Sequence, residues 1–233
     1  MADLKIMSAG AVKTMVVVLG VDYEAKTGTK LDLNFGTAGS LRERVEKGET
    51  ADLIILSQSA IATLGKLGLI DPASARDLGR TVTGVVVRAG APVPDISTPE
   101  AFKQALLAAR SVAYTDPKAG GSSGTMFAAM AKELGIADAI DKKAVLGRGG
   151  HDVAVSIAEG RAEIGTTFIS EVLPVKGAYV VGPLPGHLNN TNTYSAAVHV
   201  KSPRREAALA FLTALSDPAT RTRWSQAGLE PTF

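Results

Sequence analysis

Four times along this chain a short apolar stretch runs into small residues and then into a helical pattern. That repetition restricts the fold more than any other feature of the sequence. Leu4-Lys-Ile-Met-Ser-Ala-Gly-Ala11 is the first instance, and Lys30–Phe35 running into Gly36-Thr-Ala-Gly-Ser40 is the second. Ser111-Val-Ala-Tyr-Thr-Asp-Pro-Lys-Ala-Gly-Gly-Ser-Ser-Gly124 and Ala144-Val-Leu-Gly-Arg-Gly-Gly-His151 complete the set. In the second instance Leu31, Leu33 and Phe35 alternate with polar residues as in a strand, and Leu41 and Val45 fit an amphipathic helix. Ser40 and Glu43 have the capping-box spacing, which predicts Ser40 as the helix N-cap. A strand that turns through small residues into a helix aims free main-chain N–H groups outward, and this is an anion-binding device. Four such turns predict convergence on one ligand.

The rest of the chain continues the alternation of strand and helix, which predicts an α/β fold with mostly parallel strands. Strands are expected at Leu4–Met7, Asp52–Leu56, Thr81–Arg88, Ser111–Thr115, Lys143–Leu146, Glu163–Thr167, Ala178–Val181 and Tyr194–Val200. Helices are expected over Ala11–Thr27, Ser57–Leu67, Thr98–Arg110, Ser122–Leu134, Gly150–Glu159, Pro203–Leu215 and Asp217–Gly228. Two turn-rich segments, Ala89–Asp95 and Gly182–Asn190, bracket the middle of the chain. They predict two lobes, one of residues 1–80 and 196–233 and the other of 89–190, with crossovers near 81–88 and 190–195. A chain of 233 residues is long enough for both.

Composition excludes several classes of function. A net charge of +2 without a basic, aromatic-interleaved helix gives no footprint for nucleic acid. The absence of cysteine removes disulfides, thiol nucleophiles and thiolate metal sites. No run approaches the ~18 apolar residues of a membrane span, and Met15–Leu19 is too short for a signal-peptide core. His187 and His199 have no metal-ligand spacing. H-E-x-x-H, a Walker loop and a dinucleotide fingerprint are all missing from the sequence.

With these elements in place, the sequence resembles the type II periplasmic solute-binding proteins, and within them the molybdate-binding-protein-like family. The resemblance spans nearly the whole chain. It is carried by Ser8-Ala-Gly-Ala11, Gly39-Ser-Leu41 with Gly48-Glu-Thr-Ala-Asp-Leu53, and Asp116-Pro ahead of Ser122-Ser-Gly124. Gly160-Arg-Ala-Glu-Ile-Gly165 leading to Ser170-Glu171 adds a further match. The resemblance implies two α/β lobes, each a mostly parallel sheet flanked by helices, with an anion held in a cleft between them. The ligand-binding residues it implies are Ser8, Ala9, Gly10, Ala11, Thr37, Ala38, Gly39, Ser40, Ser122, Ser123, Gly124, Arg148, His151, Val153, Phe168 and Ser170. One of Ser122 and Ser123 is expected to cap its helix and the other to meet the ligand. No metal or other cofactor is implied. A monomer is expected, with the membrane permease of an ABC transporter as partner and the periplasm as location, or the cytoplasm should Met1 be the native start.

Two departures from the molybdate pattern bear on the ligand. Ala11 and Phe168 stand where that family places a serine and a tyrosine hydroxyl, while Arg148 and His151 enter near the fourth turn. Arginine suits planar carboxylates, so an organic acid competes with the oxyanion. A branch of the family acts as an aconitate isomerase, and His151 is then the expected catalytic base. Arg42 is read as a solvated charge, and Glu171 as an anchor of the hinge that an anionic ligand would avoid.

Overall fold

The computed structural model describes residues 3–233, so the start at Met1 lies outside the described residues. The chain divides into two compact units, the first running up to Thr81 and resuming at Asn192–Phe233, the second comprising Val82–Thr191. Both are α/β.

In the first unit, β1 (Leu4–Ala9) pairs in parallel with β2 (Leu31–Gly36) and β3 (Leu53–Ser57). β3 is buried along its whole length, as expected of a strand covered on both faces. Its other edge receives β9 (Thr191–Val198) running antiparallel, with Leu53 opposite Val198. A 3-10 turn, Gly10–Val12, leads into α1 (Lys13–Thr27), which ends at Gly28 in the left-handed region (φ 72°). α2 (Ala38–Glu46) and α3 (Gln58–Lys66) follow β2 and β3, and α9 (Arg205–Leu215) packs on α1 with the Tyr23 and Phe211 rings 5.0 Å apart. Glu49 holds the Arg44 guanidinium by two bonds of 2.7 and 2.8 Å and Lys5 Nζ at 3.0 Å. Those two cations keep its carboxyl down at about 2.

Three elements differ from the sequence expectation. β4 (Arg76–Arg88) starts five residues before Thr81, because Gly79–Thr81 pair with β10 (Leu229–Pro231), a strand too short to read from periodicity. The last helix is shorter than the pattern predicts, since Pro218–Thr220 form a 3-10 turn and only Arg221–Gln226 (α10) are α-helical. The cap of α2 is Thr37 and not Ser40, as Thr37 Oγ1 accepts from the Ser40 N–H at 3.2 Å. Ser40 lies one turn inside the helix, and Gly39 is helical too.

In the second unit, β5 (Val112–Thr115) pairs in parallel with β6 (Ala144–Gly147) and β7 (Ile164–Phe168). The Val85–Val87 stretch of β4 runs antiparallel to both β7 and β8 (Ala178–Pro183). One apolar cluster, with Phe102, Leu106, Phe127 and Met130, buries α4 (Pro99–Ala108), α5 (Ser122–Glu133) and the short α6 (Ala137–Asp141). Val153, Ala154, Ile157 and Val172 form another beneath α7 (Gly150–Ala158) and α8 (Ile169–Val172). Alternate residues of a strand face opposite ways, so Val85 and Val87 feed one cluster and Val86 the other.

Candidate functional site

All four small-residue turns lie at the carboxyl ends of parallel strands, where ligands of open α/β sheets bind. In the first unit, register brings two of them side by side. Ser8 pairs with Phe35 and Ala9 with Gly36, so the turn after β1 adjoins the turn after β2. In the second unit, Tyr114 pairs with Leu146 and Thr115 with Gly147, which sets the approach to α5 beside the start of α7. Each unit thus presents a pair of neighbouring helix starts.

Not every hydroxyl among the expected site residues is available. Ser8 is fully buried, and its Oγ–H donates to the Ala9 carbonyl at 3.2 Å. Ala9 and Ala11 are buried, with Gly10 half-buried between them. Thr37 Oγ1–H donates to Ser40 Oγ (2.8 Å), and Ser40 Oγ–H donates to the Thr37 carbonyl (3.1 Å); Ala38 is buried beside them. Neither Ser122 nor Ser123 caps α5 by its side chain, contrary to the expectation that one of them would. Ser123 turns inward and shares a 3.0 Å hydrogen bond with Thr115 Oγ1, whereas Ser122 is half-buried. Gly124 sits so close to β5 that a Cβ there would fall 2.3 Å from the Thr115 carbonyl oxygen. Arg42 forms an ion pair with Glu46 (3.2 Å) on the helix surface.

At the fourth turn Arg148 and His151 are both exposed, and the Arg148 N–H donates to Asp152 Oδ2 at 3.0 Å. Val153 is buried, and so are Phe168 and Ser170 at the end of β7 and the start of α8. The unexpected member of this turn is Glu171. Its carboxylate accepts from the N–H groups of Gly150 and His151, and Thr167 Oγ1 lies 3.5 Å away. The positive end of α7 therefore already holds a carboxyl group of the protein's own chain. A Cβ on Gly150 would stand 2.0 Å from Glu171 Oε2 and 2.1 Å from Thr167 Oγ1, so only glycine fits. Sequence gave no signal for this contact, apart from a glutamate following a serine at the end of a strand.

Burial pushes the Glu171 carboxyl up to about 7, against the downward pull of the two N–H groups and Thr167. An unfolded chain would release that proton near 4.5. Between those values the folded state binds more protons, so this contribution to stability is fully present below about pH 4.5. It is lost as the pH rises through about 7. Glu171→Gln is expected to flatten that segment of a stability-versus-pH profile measured by urea unfolding. An identical slope in the two proteins would mean that Glu171 titrates as an ordinary carboxylate.

Lys13 was also not anticipated from sequence. It opens α1 directly after the first turn, and its ammonium lies 5.3 Å from the centroid of the Phe35 ring. Among the described residues no group of three or more His, Cys, Asp or Glu side chains is placed to hold a metal ion. No described helix is long and apolar enough to cross a membrane.

The family model of the bacterial extracellular solute-binding proteins matches residues 4–230. The chain belongs to this family. It is 32% identical, over 98% of its own length and 87% of the relative's, to a Pseudomonas protein described as aconitate isomerase. The periplasmic molybdate-binding protein of Azotobacter vinelandii superposes with a TM-score of 0.79 at 16% identity, covering 97% of this chain and 98% of that one. The sulfate-binding protein SubI of Mycobacterium tuberculosis H37Rv superposes with a TM-score of 0.75 at 20% identity, over 100% and 88% of the two chains. At such identities the likeness establishes the fold, which is that of the type II periplasmic binding proteins.

Proposed function

We propose that this solute-binding protein captures a small organic anion with several carboxylates, of the tricarboxylate class, at its strand-to-helix turns. The observation that carries this reading is the fate of the hydroxyls. Ser8 and Ser123 spend theirs within the protein, and Ala11 and Phe168 have none to offer. A desolvated oxyanion needs a donor for every oxygen, and few side-chain donors remain for it. Carboxylates are served by main-chain N–H groups and by an exposed arginine such as Arg148. The residues proposed to face the ligand are those of the first three turns, with the exposed side chains of Arg148 and His151 at the fourth, whose Gly150 and His151 N–H groups are taken by Glu171. Delivery to an ABC-transporter permease, as a monomer outside the cytoplasm, is the corresponding role.

A second reading is turnover of the captured acid, and the aconitate isomerase relative is the observation in its favour. Moving the double bond of aconitate requires a base to take a proton from the methylene carbon and return one to the former alkene carbon. His151, exposed at the start of α7, is the candidate for this role, with Arg148 beside a carboxylate. The binder reading needs fewer groups in place, and it is the one adopted.

Thermal shift against cis-aconitate, trans-aconitate, citrate, succinate, molybdate and sulfate tests the capture. A ligand present at ~100-fold over its Kd should stabilise the fold by ~2.7 kcal/mol. Stabilisation by molybdate or sulfate alone would overturn the organic-acid reading. Incubation with each aconitate isomer, followed by chromatography, decides between the roles. Interconversion that disappears in His151→Ala would establish the isomerase; binding without interconversion is the expected result.

A further inference from the structure

We propose that Lys13 is the specificity-determining cation of the first unit, selecting carboxylated ligands over bare inorganic oxyanions; this rests on the organic-anion reading above. Lys13 begins α1 immediately after the Gly10–Val12 turn. Phe35, whose ring its ammonium overlies at 5.3 Å, pairs in register with Ser8 and lies two residues before Thr37. The ammonium therefore stands where the two neighbouring turns of this unit meet.

The other basic side chains of β1 and α2 are paired: Lys5 and Arg44 share Glu49, Arg42 pairs with Glu46, and Lys47 pairs with Glu43. Lys13 forms no salt bridge among the described residues, and its neighbour is the face of an aromatic ring. A ring face attracts and orients an ammonium but does not cancel its charge. Three N–H donors thus remain for an incoming carboxylate. A compact point charge on a flexible stem suits one carboxylate of a polyacid whose others are met by main-chain N–H groups.

Titration calorimetry of the full chain with trans-aconitate, succinate and sulfate tests the assignment, using Lys13→Gln, Lys13→Arg and the unmodified protein. Lys13 is exposed, so the variants are expected to fold, with melting by circular dichroism as the check. Lys13→Gln should weaken trans-aconitate binding ~10-fold or more, and Lys13→Arg should stay within ~3-fold. The salt dependence of trans-aconitate affinity should also become shallower in Lys13→Gln, which a merely structural role would not produce. Unchanged affinity in Lys13→Gln would overturn the assignment while leaving the organic-anion reading intact. Equal losses for sulfate and the acids would overturn it as well, since the lysine would then attract anions without selecting among them. Failure of the unmodified protein to bind either acid would overturn both.

Discussion

Gly150→Ala is expected to destabilise the protein by about 3 kcal/mol, read as a lower urea midpoint at unchanged slope. The methyl group would have to displace both the Glu171 carboxylate at 2.0 Å and the Thr167 hydroxyl at 2.1 Å. Each is buried with little room to withdraw. Moving the carboxylate also strips two main-chain N–H groups of their acceptor. In a Glu171→Ala background the same substitution should cost at least ~1 kcal/mol less, because the two residues touch and their effects do not add. A Gly150→Ala midpoint equal to that of the unmodified protein would show that the carboxylate yields freely.

The second large effect is expected at Asp52, the buried polar centre of the first unit. Its carboxylate, 1% exposed as a residue, accepts from the Lys5 N–H at 2.8 Å, Ser202 Oγ at 2.7 Å and Arg204 Nε at 3.1 Å. The chain that follows β9 is thereby fastened to the edge of β1. Asp52→Ala should cost about 3 kcal/mol, since a buried N–H loses its partner and a charged hydrogen bond is lost. Asp52→Asn should cost less, since its Oδ1 can accept from the Lys5 N–H and Arg204 Nε while its NH2 donates to the Ser202 hydroxyl, which accepts as well as donates, so only the charge is lost. Denaturant midpoints of Asp52→Ala and Asp52→Asn check this, and a loss below ~1 kcal/mol in Asp52→Ala would mean that water or a rearranged Ser202 takes over.

How far the sequence announces this architecture depends on whether the decisive interaction is local. α1 is bounded by a glycine at its end and α4 by the Thr98-Pro99 start, and both were legible because their caps lie within the helix itself. The Thr37 cap was misplaced onto Ser40 because both residues are hydroxyl-bearing and three apart, and only the backbone shows which one precedes the helix. β10 and α8, of three and four residues, are too short to carry a period. At the candidate site the turns themselves were legible as glycine- and serine-rich junctions. What happens to their hydrogen bonds was not. The Ser123–Thr115 bond and the Glu171–Gly150 contact join residues 8 and 21 positions apart, and they depend on which way a side chain points from a strand end. Lys13 over Phe35 is of the same kind, set by the pairing of β1 with β2.

The division of the chain also fixes an order of events during synthesis. Val82–Thr191 is continuous in sequence, and its ends are stitched together by Thr83 and Asn190, through a 2.6 Å side-chain bond and a 3.3 Å main-chain bond. That segment has all its partners once residue 191 has left the ribosome. The flanking unit starts first and finishes last, because β3 waits for Val198 to cover its second edge. Until then Leu53–Leu56 offers a wholly apolar strand with one side unpaired, the configuration most inclined to pair with another chain. At ~5–20 residues per second, the roughly 140 residues between β3 and its partner take about 7–30 s to make. A chaperone acting on the nascent protein would find its natural hold on that strand during those seconds.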